Sequence, residues 1–172
     1  MASVYELKPK FQALLRPLVD RLAGAGVSGN QVTVAALLLS LLVGAAIALC
    51  PSDRWPLLLM PAALLARMAL SAIDGMLARE QNLKTALGGF LNELGDVLSE
   101  VPLYLPLALV PGVSAHWLVF AVILALASEM TGVIAVQVGA ERRYDGPMGK
   151  SDRAFIIGLI CLLLGAGWIP IA

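Results

Sequence analysis

The sequence predicts an all-α membrane protein: a bundle of five transmembrane helices, preceded by an amphipathic helix at the membrane interface. The first observation is composition, because 59% of the 172 residues are hydrophobic and 14% are charged. Soluble domains carry about 25% charged residues. The second is the presence of five apolar stretches, each near the roughly 20 residues that cross a hydrocarbon core. The third is that Lys and Arg concentrate in alternate loops.

The five predicted spans are separated by turn-rich segments such as "CPSDRWP" and "REQNLKTALG". They lie near residues 32–50, 56–79, 88–110, 115–140 and 153–169. Before them, residues 4–24 place leucines at helical spacing with basic residues between, which predicts a helix in the membrane interface. Pro17 is expected to kink or split this helix near Arg16. We expect one integral-membrane domain over residues 1–172.

The distribution of basic residues predicts the orientation of the spans. Most of them lie in the N-terminal segment and in the second and fourth loop regions: Lys8, Lys10, Arg16, Arg21, Arg79, Lys84, Arg142, Arg143, Lys150 and Arg153. On the opposite side, Arg54 is the basic residue. The positive-inside rule therefore predicts a multi-pass protein of the cell (inner or plasma) membrane with a cytoplasmic N-terminus. The net charge of zero argues against a nucleic-acid partner.

Two of the predicted spans carry polar residues on one face, although a charge inside a span costs roughly 2.5–3.5 kcal/mol on insertion scales. The second span has Arg67, Ser71 and Asp74 at spacings of three or four residues. The third span has a polar or small residue at every fourth position: Gly88, Asn92, Asp96 and Glu100. Because a short loop joins the two spans, we expect these faces to meet in a cavity open to the cytoplasm.

Carboxylate, amide and hydroxyl groups together form a set of oxygen ligands. Such ligands suit Mg²⁺, Mn²⁺ or Ca²⁺, and Mg²⁺ often binds through few carboxylates plus substrate phosphates. Gly75 and Gly88 would leave room for a phosphate ligand close to the backbone. From spacing alone two other interpretations stay open: structural pairing of the carboxylates with Arg67 and Arg79, or a cation-conducting path.

The segment from Ser71 to Asp96 resembles the signature of the CDP-alcohol phosphotransferase (class-I CDP-alcohol phosphatidyltransferase) family, D-x-x-D-G-x-x-A-R-x8-G-x-x-x-D-x-x-x-D. All but two fixed positions match, and the eight-residue gap is intact; the matches are Asp74, Gly75, Ala78, Arg79, Gly88 and Asp96. Ser71 and Asn92 replace the first and third aspartates. "VSGNQVT" (residues 27–33) resembles the family's entry to the first span. The family usually has six spans, whereas five are predicted here.

The resemblance implies a metal-dependent membrane transferase of phospholipid synthesis. It would move a phosphatidyl group from CDP-diacylglycerol, or a related CDP-linked donor, to a small alcohol, and release CMP. Carried over by position, Asp74 and Asp96 are catalytic, the first as a metal ligand and the second as a ligand and base. The nucleotide would lie against Gly75, Ala78, Arg79 and Gly88. Family members commonly form homodimers.

Two other functional interpretations stay open. The first is a catalytically impaired relative that binds a CDP-lipid or a partner without turnover, because Ser71 and Asn92 each remove a negative charge from the motif. The second is a small ion transporter. The retained Asp74 and Asp96 favour the enzyme over the impaired relative.

The two replaced aspartates also change the expected number of metal ions. Four carboxylates balance two divalent cations, and the two that remain balance one. We therefore predict one tight Mg²⁺ or Mn²⁺ between Asp74 and Asp96, with Asn92 and Ser71 as weaker ligands. A second ion would require Glu93 or Glu100 to turn inward, and Glu100 has the better helical phase.

The fourth loop and the start of the fifth span predict the acceptor site. Basic side chains there suit an anionic alcohol such as glycerol 3-phosphate. The predicted acceptor-binding residues are Lys150, Asp152, Arg153 and Arg142. Ordinary positive-inside anchoring is the alternative for these charges. Arg67 is expected to pair with Asp74 along its own helix, or with Glu100 or Glu129 across the bundle.

Overall fold

A computed structural model describes residues 8–80, 86–140 and 149–169, and every regular element in these ranges is helical. The helices are α1 (Lys8–Gly24), α2 (Gly29–Leu49), α3 (Trp55–Glu80), α4 (Ala86–Tyr104), α5 (Ala115–Gln137) and α6 (Lys150–Gly165), with a 3₁₀ helix (Leu105–Leu109) after α4. The predicted all-α fold class is therefore confirmed. Arg142, one of the predicted acceptor residues, lies outside the described residues.

Three of the described helices are long and apolar enough to cross a membrane. They are α2, α3 over Trp55–Arg79, and α5. Their outward-facing apolar side chains, such as Leu42 on α2 and Trp117 on α5, are more than two-thirds exposed within the protein. A surface of this kind suits contact with lipid. These helices support the predicted polytopic membrane protein.

The helices at the third and fifth predicted spans differ from these three, the one in its charge and the other in its length. Helix α4 carries three carboxylates, Glu93, Asp96 and Glu100, and α6 has 16 residues. The third span is also divided, because the chain passes from α to 3₁₀ geometry at Leu105, one residue before Pro106. Proline supplies no backbone N–H, and it disfavours α geometry in the residue before it. That α4 and α6 cross the membrane stays a prediction.

Helix α2 packs along both α3 and α4, and α3 also packs along α6. The main core forms where these helices meet, around Ile47, Met60, Leu103 and Cys161, which are almost fully buried. Gly44 of α2 lies against the backbone of Pro102 in α4, where a β-carbon would collide with the Pro102 carbonyl oxygen. This close approach gives α2 and α4 a tight contact.

Helix α1 packs against the last turns of α3. Val19 is fully buried, and it forms a second core with Ile73 and Leu77 of α3. Elsewhere on α1, Leu14 and Leu18 are 76% and 45% exposed, an apolar surface that suits the predicted place of this helix at the membrane interface. The predicted split near Arg16 is wrong, because α1 runs through Pro17. Packing against α3 offsets the backbone hydrogen bond that the proline removes.

Candidate functional site

Asp74 lies on α3 with its carboxylate turned toward α2. The residue is 5% exposed, and Thr33 Oγ1 donates a hydrogen bond of 2.8 Å to its Oδ2. Its Oδ1 is buried and has no hydrogen-bond partner among the described residues. A buried carboxylate oxygen without a partner is costly, because burial removes the water that would otherwise bind it. Asp74 Oδ1 is therefore an atom suited to bind a ligand.

The start of α2 brings Thr33 to Asp74. Ser28 caps the helix, because its hydroxyl accepts from the Gln31 amide while the Gln31 side chain accepts from the Ser28 amide. A β-carbon at Gly29 would lie 2.9 Å from the Asp74 carbonyl oxygen, so the helices approach this closely only with glycine there. Thr33 was not among the predicted site residues. Its signal was a hydroxyl one turn into an apolar span.

Asp96 lies on α4 and joins three helices through one oxygen. Ser71 Oγ of α3 donates to Asp96 Oδ1 at 3.4 Å. Lys150 Nζ, at the start of α6, forms an ion pair with the same Oδ1. The Lys150 and Asp96 side chains are 21% and 19% exposed, so the pair is partly shielded from solvent. The predicted meeting of the polar faces of the second and third spans is confirmed by the Ser71–Asp96 contact.

Asp74 and Asp96 lie within electrostatic range of each other, and Lys150 acts on both. Among the described residues, no three His, Cys, Asp or Glu side chains gather to hold a metal ion. The donor set is therefore two carboxylates with neutral oxygens nearby. Together with Asp74 Oδ1, which has no hydrogen-bond partner among the described residues, this donor set suits a divalent cation.

A buried ion network lies one turn from Asp96. Arg67 Nη2 contacts Glu100 Oε1 at 3.2 Å, and Arg153 Nη2 contacts Glu100 Oε2 at 3.2 Å and Glu129 Oε2 at 3.5 Å. Of the partners expected for Arg67, the structure thus shows Glu100. Both Glu100 oxygens accept from arginines, so in this structure Glu100 is a member of the ion network.

The predicted nucleotide residues lie at the facing ends of α3 and α4. Gly75 and Ala78 are half-buried, Arg79 is exposed in the last turn of α3, and Gly88 is half-buried near the start of α4. A β-carbon at Gly75 would meet only Arg79 Nη2 among the described residues, at 3.9 Å. The space beside Gly75 is therefore open.

A cavity extends from this end of α3 toward α1. It has a volume of about 360 Å³ and is lined by Gln12, Ala13, Arg16, Met76 and Arg79. Two arginines on one cavity suit an anionic group. Sequence reasoning did not assign α1 to this site, because the contact between α1 and α3 is not encoded in the signature.

The predicted acceptor residues of α6 occupy different environments. Lys150 contacts Asp96, Asp152 is half-buried in the first turn, and Arg153 is buried with Glu100 and Glu129. Asn92 is half-buried on α4, and in the described structure its side chain hydrogen-bonds to neither aspartate. The acceptor-binding role and the Asn92 ligand role stay predictions.

Comparison with known proteins identifies the family. A model of the family described as CDP-alcohol phosphatidyltransferase matches residues 27–172. The protein named inner membrane protein YnbA, from Escherichia coli (strain K12), is 45% identical over 157 residues, which cover 91% of this chain and 78% of that protein. No solved structure gives a significant match. The chain therefore belongs to the CDP-alcohol phosphatidyltransferase family.

Proposed function

We propose that this chain transfers a phosphatidyl group from CDP-diacylglycerol, or a related CDP-linked donor, to a small alcohol and releases CMP. The observation that supports this proposal most strongly is the pair of carboxylates, Asp74 on α3 and Asp96 on α4, beside an open space at Gly75. Ser71, about one helical turn from Asp74, contacts Asp96 Oδ1 and so links the two. Membership of the family supports the reaction class. Phospholipid synthesis is the process in which such a product would be made.

In this proposal Asp74 and Asp96 would hold one Mg²⁺ or Mn²⁺, with Ser71 and Asn92 as neutral oxygen donors. The bound metal supplies charge neutralisation for the donor's diphosphate and for the departing CMP. Thr33 orients Asp74 by its hydrogen bond to Oδ2, and leaves Oδ1 directed to the ligand.

Asp96 is the proposed general base. It would take the proton of the acceptor hydroxyl as that oxygen forms a bond to the lipid-bearing phosphorus. The bond between this phosphorus and the oxygen bridging to CMP then breaks, and CMP carries away the electron pair. Gly75, Ala78, Arg79 and Gly88 are the proposed nucleotide contacts. Asp152, Arg153, Arg142 and Lys150 are proposed at the acceptor side, where an anionic alcohol such as glycerol 3-phosphate fits the basic charge.

We further propose that the chain is one integral-membrane domain of the inner membrane, with the site open to the cytoplasm. The apolar helices α2, α3 and α5 support membrane insertion. The Escherichia coli relative, 45% identical, is named an inner membrane protein. A homodimer is proposed from the resemblance to the family, and the exposed apolar face of α5 is compatible with it.

The direct test is CMP release from CDP-diacylglycerol by the purified protein, measured with Mg²⁺ or Mn²⁺ across a panel of small alcohols. We expect acceptor-dependent release that EDTA stops and that Asp96→Asn lowers by at least about a hundredfold, as expected for loss of a general base. Asp53→Asn, in an exposed loop outside the site, is the matched control and should leave the rate unchanged.

The second candidate is a relative that binds a CDP-lipid without turnover. It is favoured by Ser71 and Asn92, each of which removes a negative charge from the motif. In that case CDP-diacylglycerol binds with a metal-dependent affinity, but no alcohol in the panel yields CMP. Turnover with any acceptor rejects this candidate.

A further inference from the structure

We propose that the Lys150 ammonium is a built-in cation of this site, which takes the place of a second divalent ion. The site would then work with one metal ion and one lysine. This inference rests on the proposed function for its metal and diphosphate ligands. For Lys150 it replaces the acceptor-binding role given above, because it assigns the lysine charge to the carboxylates and diphosphate of the site itself.

The first argument is the position of the ammonium group. Lys150 Nζ pairs with Asp96 Oδ1, which also accepts from Ser71 Oγ. Lys150 also lies within electrostatic range of Asp74. A divalent ion bound to Asp96 Oδ1 would have to displace the ammonium, or lie beside a like charge. Lysine and a second metal ion therefore compete for the same oxygen.

The second argument is charge balance. With Ser71 and Asn92 neutral, Asp74 and Asp96 contribute two negative charges, which one divalent ion neutralises. The donor's diphosphate brings further negative charge, and a lysine next to it supplies a compensating positive charge. Lysine binds phosphate as a point charge. Two divalent ions together with Lys150 would instead leave the protein site with three uncompensated positive charges before the donor binds.

The third argument is where Lys150 lies in its helix. It is the first residue of α6, after Gly149. A cation is disfavoured at a helix N-terminus, because the helix dipole is positive there. The Asp96 carboxylate, from another helix, offsets this disfavoured position. A lysine at this unfavourable position, paired with a carboxylate of the site, is expected if its positive charge is used to balance the carboxylates and the diphosphate.

The buried network keeps this ion pair in register. Asp96 and Glu100 are one turn apart on α4, and Lys150 and Arg153 are one turn apart on α6. Arg153 Nη2 donates to both Glu100 carboxylate oxygens, at 3.2–3.3 Å. This contact connects α4 and α6 one helical turn further along each helix than the Lys150–Asp96 pair. Arg153 thus acts as a positioning residue for Lys150.

The test counts Mn²⁺ ions bound per chain in the detergent-solubilised protein, in the absence of nucleotide, by electron paramagnetic resonance of free Mn²⁺. We expect one ion in the wild-type protein. In the background Ser71→Asp/Asn92→Asp, which restores four carboxylates, we expect a second ion. Its affinity should rise at least tenfold when Lys150→Met is added and stay weak with Lys150→Arg. The control Lys10→Met, at an exposed position of α1, should change neither number nor affinity.

If the four-carboxylate background does not fold, Lys150→Met alone is measured. It should tighten the single Mn²⁺ site about tenfold, because it removes a like charge that competes for Asp96. Two equally occupied Mn²⁺ sites in the wild-type protein would overturn the proposal, as would an unchanged or weakened affinity in Lys150→Met. These measurements need no turnover. A chain that binds one ion as described but releases no CMP therefore refutes the proposed function and leaves this inference standing.

Discussion

At the scale of single residues, the hydrogen bond from Thr33 occupies Asp74 Oδ2 and leaves Oδ1 as the buried oxygen without a hydrogen-bond partner among the described residues. The single Thr33 hydroxyl hydrogen is shared between Asp74 Oδ2 at 2.8 Å and the Gly29 carbonyl oxygen at 3.2 Å, which ties the side chain to the first turn of α2. The Asp74 carboxylate is thereby held from the helix that packs on both α3 and α4. A ligand atom that is oriented before binding loses less freedom when it binds.

Thr33→Val removes this hydrogen bond while nearly keeping the side-chain volume. Hydrogen bonds to charged groups contribute about 1.5–3 kcal/mol, so we expect the Mn²⁺-dependent affinity for CDP to fall by about tenfold or more. Isothermal titration calorimetry measures this. The control is Thr131→Val on α5, which should leave the affinity unchanged, because among the described residues its hydroxyl bonds only the Ala127 carbonyl. Equal affinities in Thr33→Val and wild type would remove Thr33 from the site.

At the scale of helices, Glu100 connects α3, α4 and α6 through two buried arginines. The residue is 2% exposed and Arg67 is 1% exposed. An ion pair this deeply buried adds little net stability, but removal of one partner is strongly destabilising because a buried charge is left behind. These contacts fix the positions of α3, α4 and α6 relative to one another along their axes.

Glu100→Gln should therefore destabilise the protein by about 3–5 kcal/mol, since it leaves Arg67 and Arg153 short of a negative charge. The expected result is a large fall in the midpoint of thermal unfolding in detergent. Glu129→Gln is the matched comparison and should cost less, because its contact with Arg153 is longer, at 3.5 Å, and its side chain is 12% exposed. A Glu100→Gln protein as stable as the Glu129→Gln protein would contradict this role.

At the scale of the whole molecule, the orientation predicted from Lys and Arg can be tested in intact cells. In a background with Cys50 and Cys161 replaced, a membrane-impermeant maleimide should label Asp53→Cys from outside. Ala25→Cys, between α1 and α2, should react only after the membrane is permeabilised. Both positions are exposed in the structure, so access to the reagent is decided by the side of the membrane. Labelling in the reverse pattern would invert the proposed topology.

The sequence was sufficient for the helical fold class and for the meeting of Ser71 with Asp96, because both follow from periodicity and from two spans joined by a short loop. It was insufficient for contacts between helices distant in sequence. Thr33 and Asp74 are separated by 41 residues, and Lys150 and Asp96 by about 54. No local pattern specifies such pairs.

Two element boundaries were also beyond the sequence pattern. Apolar periodicity continues through Pro106, so a single third span was predicted where the structure changes to a 3₁₀ helix. Conversely, Pro17 was expected to interrupt the first helix, but the burial of Val19 and its neighbours against α3 maintains it. At both prolines, tertiary contacts determine whether the α-helix continues, and the helix preferences of single residues do not include such contacts.

The central claim is that Asp74 and Asp96, on two different helices, form one metal-dependent nucleotide site. Its most direct test is the affinity for CDP, measured by calorimetry with and without Mn²⁺, in the wild type, Asp74→Asn and Asp96→Asn proteins. We predict that Mn²⁺ strengthens CDP binding in the wild type, and that either substitution alone abolishes this strengthening. Retention of the Mn²⁺ effect in either variant would contradict the claim.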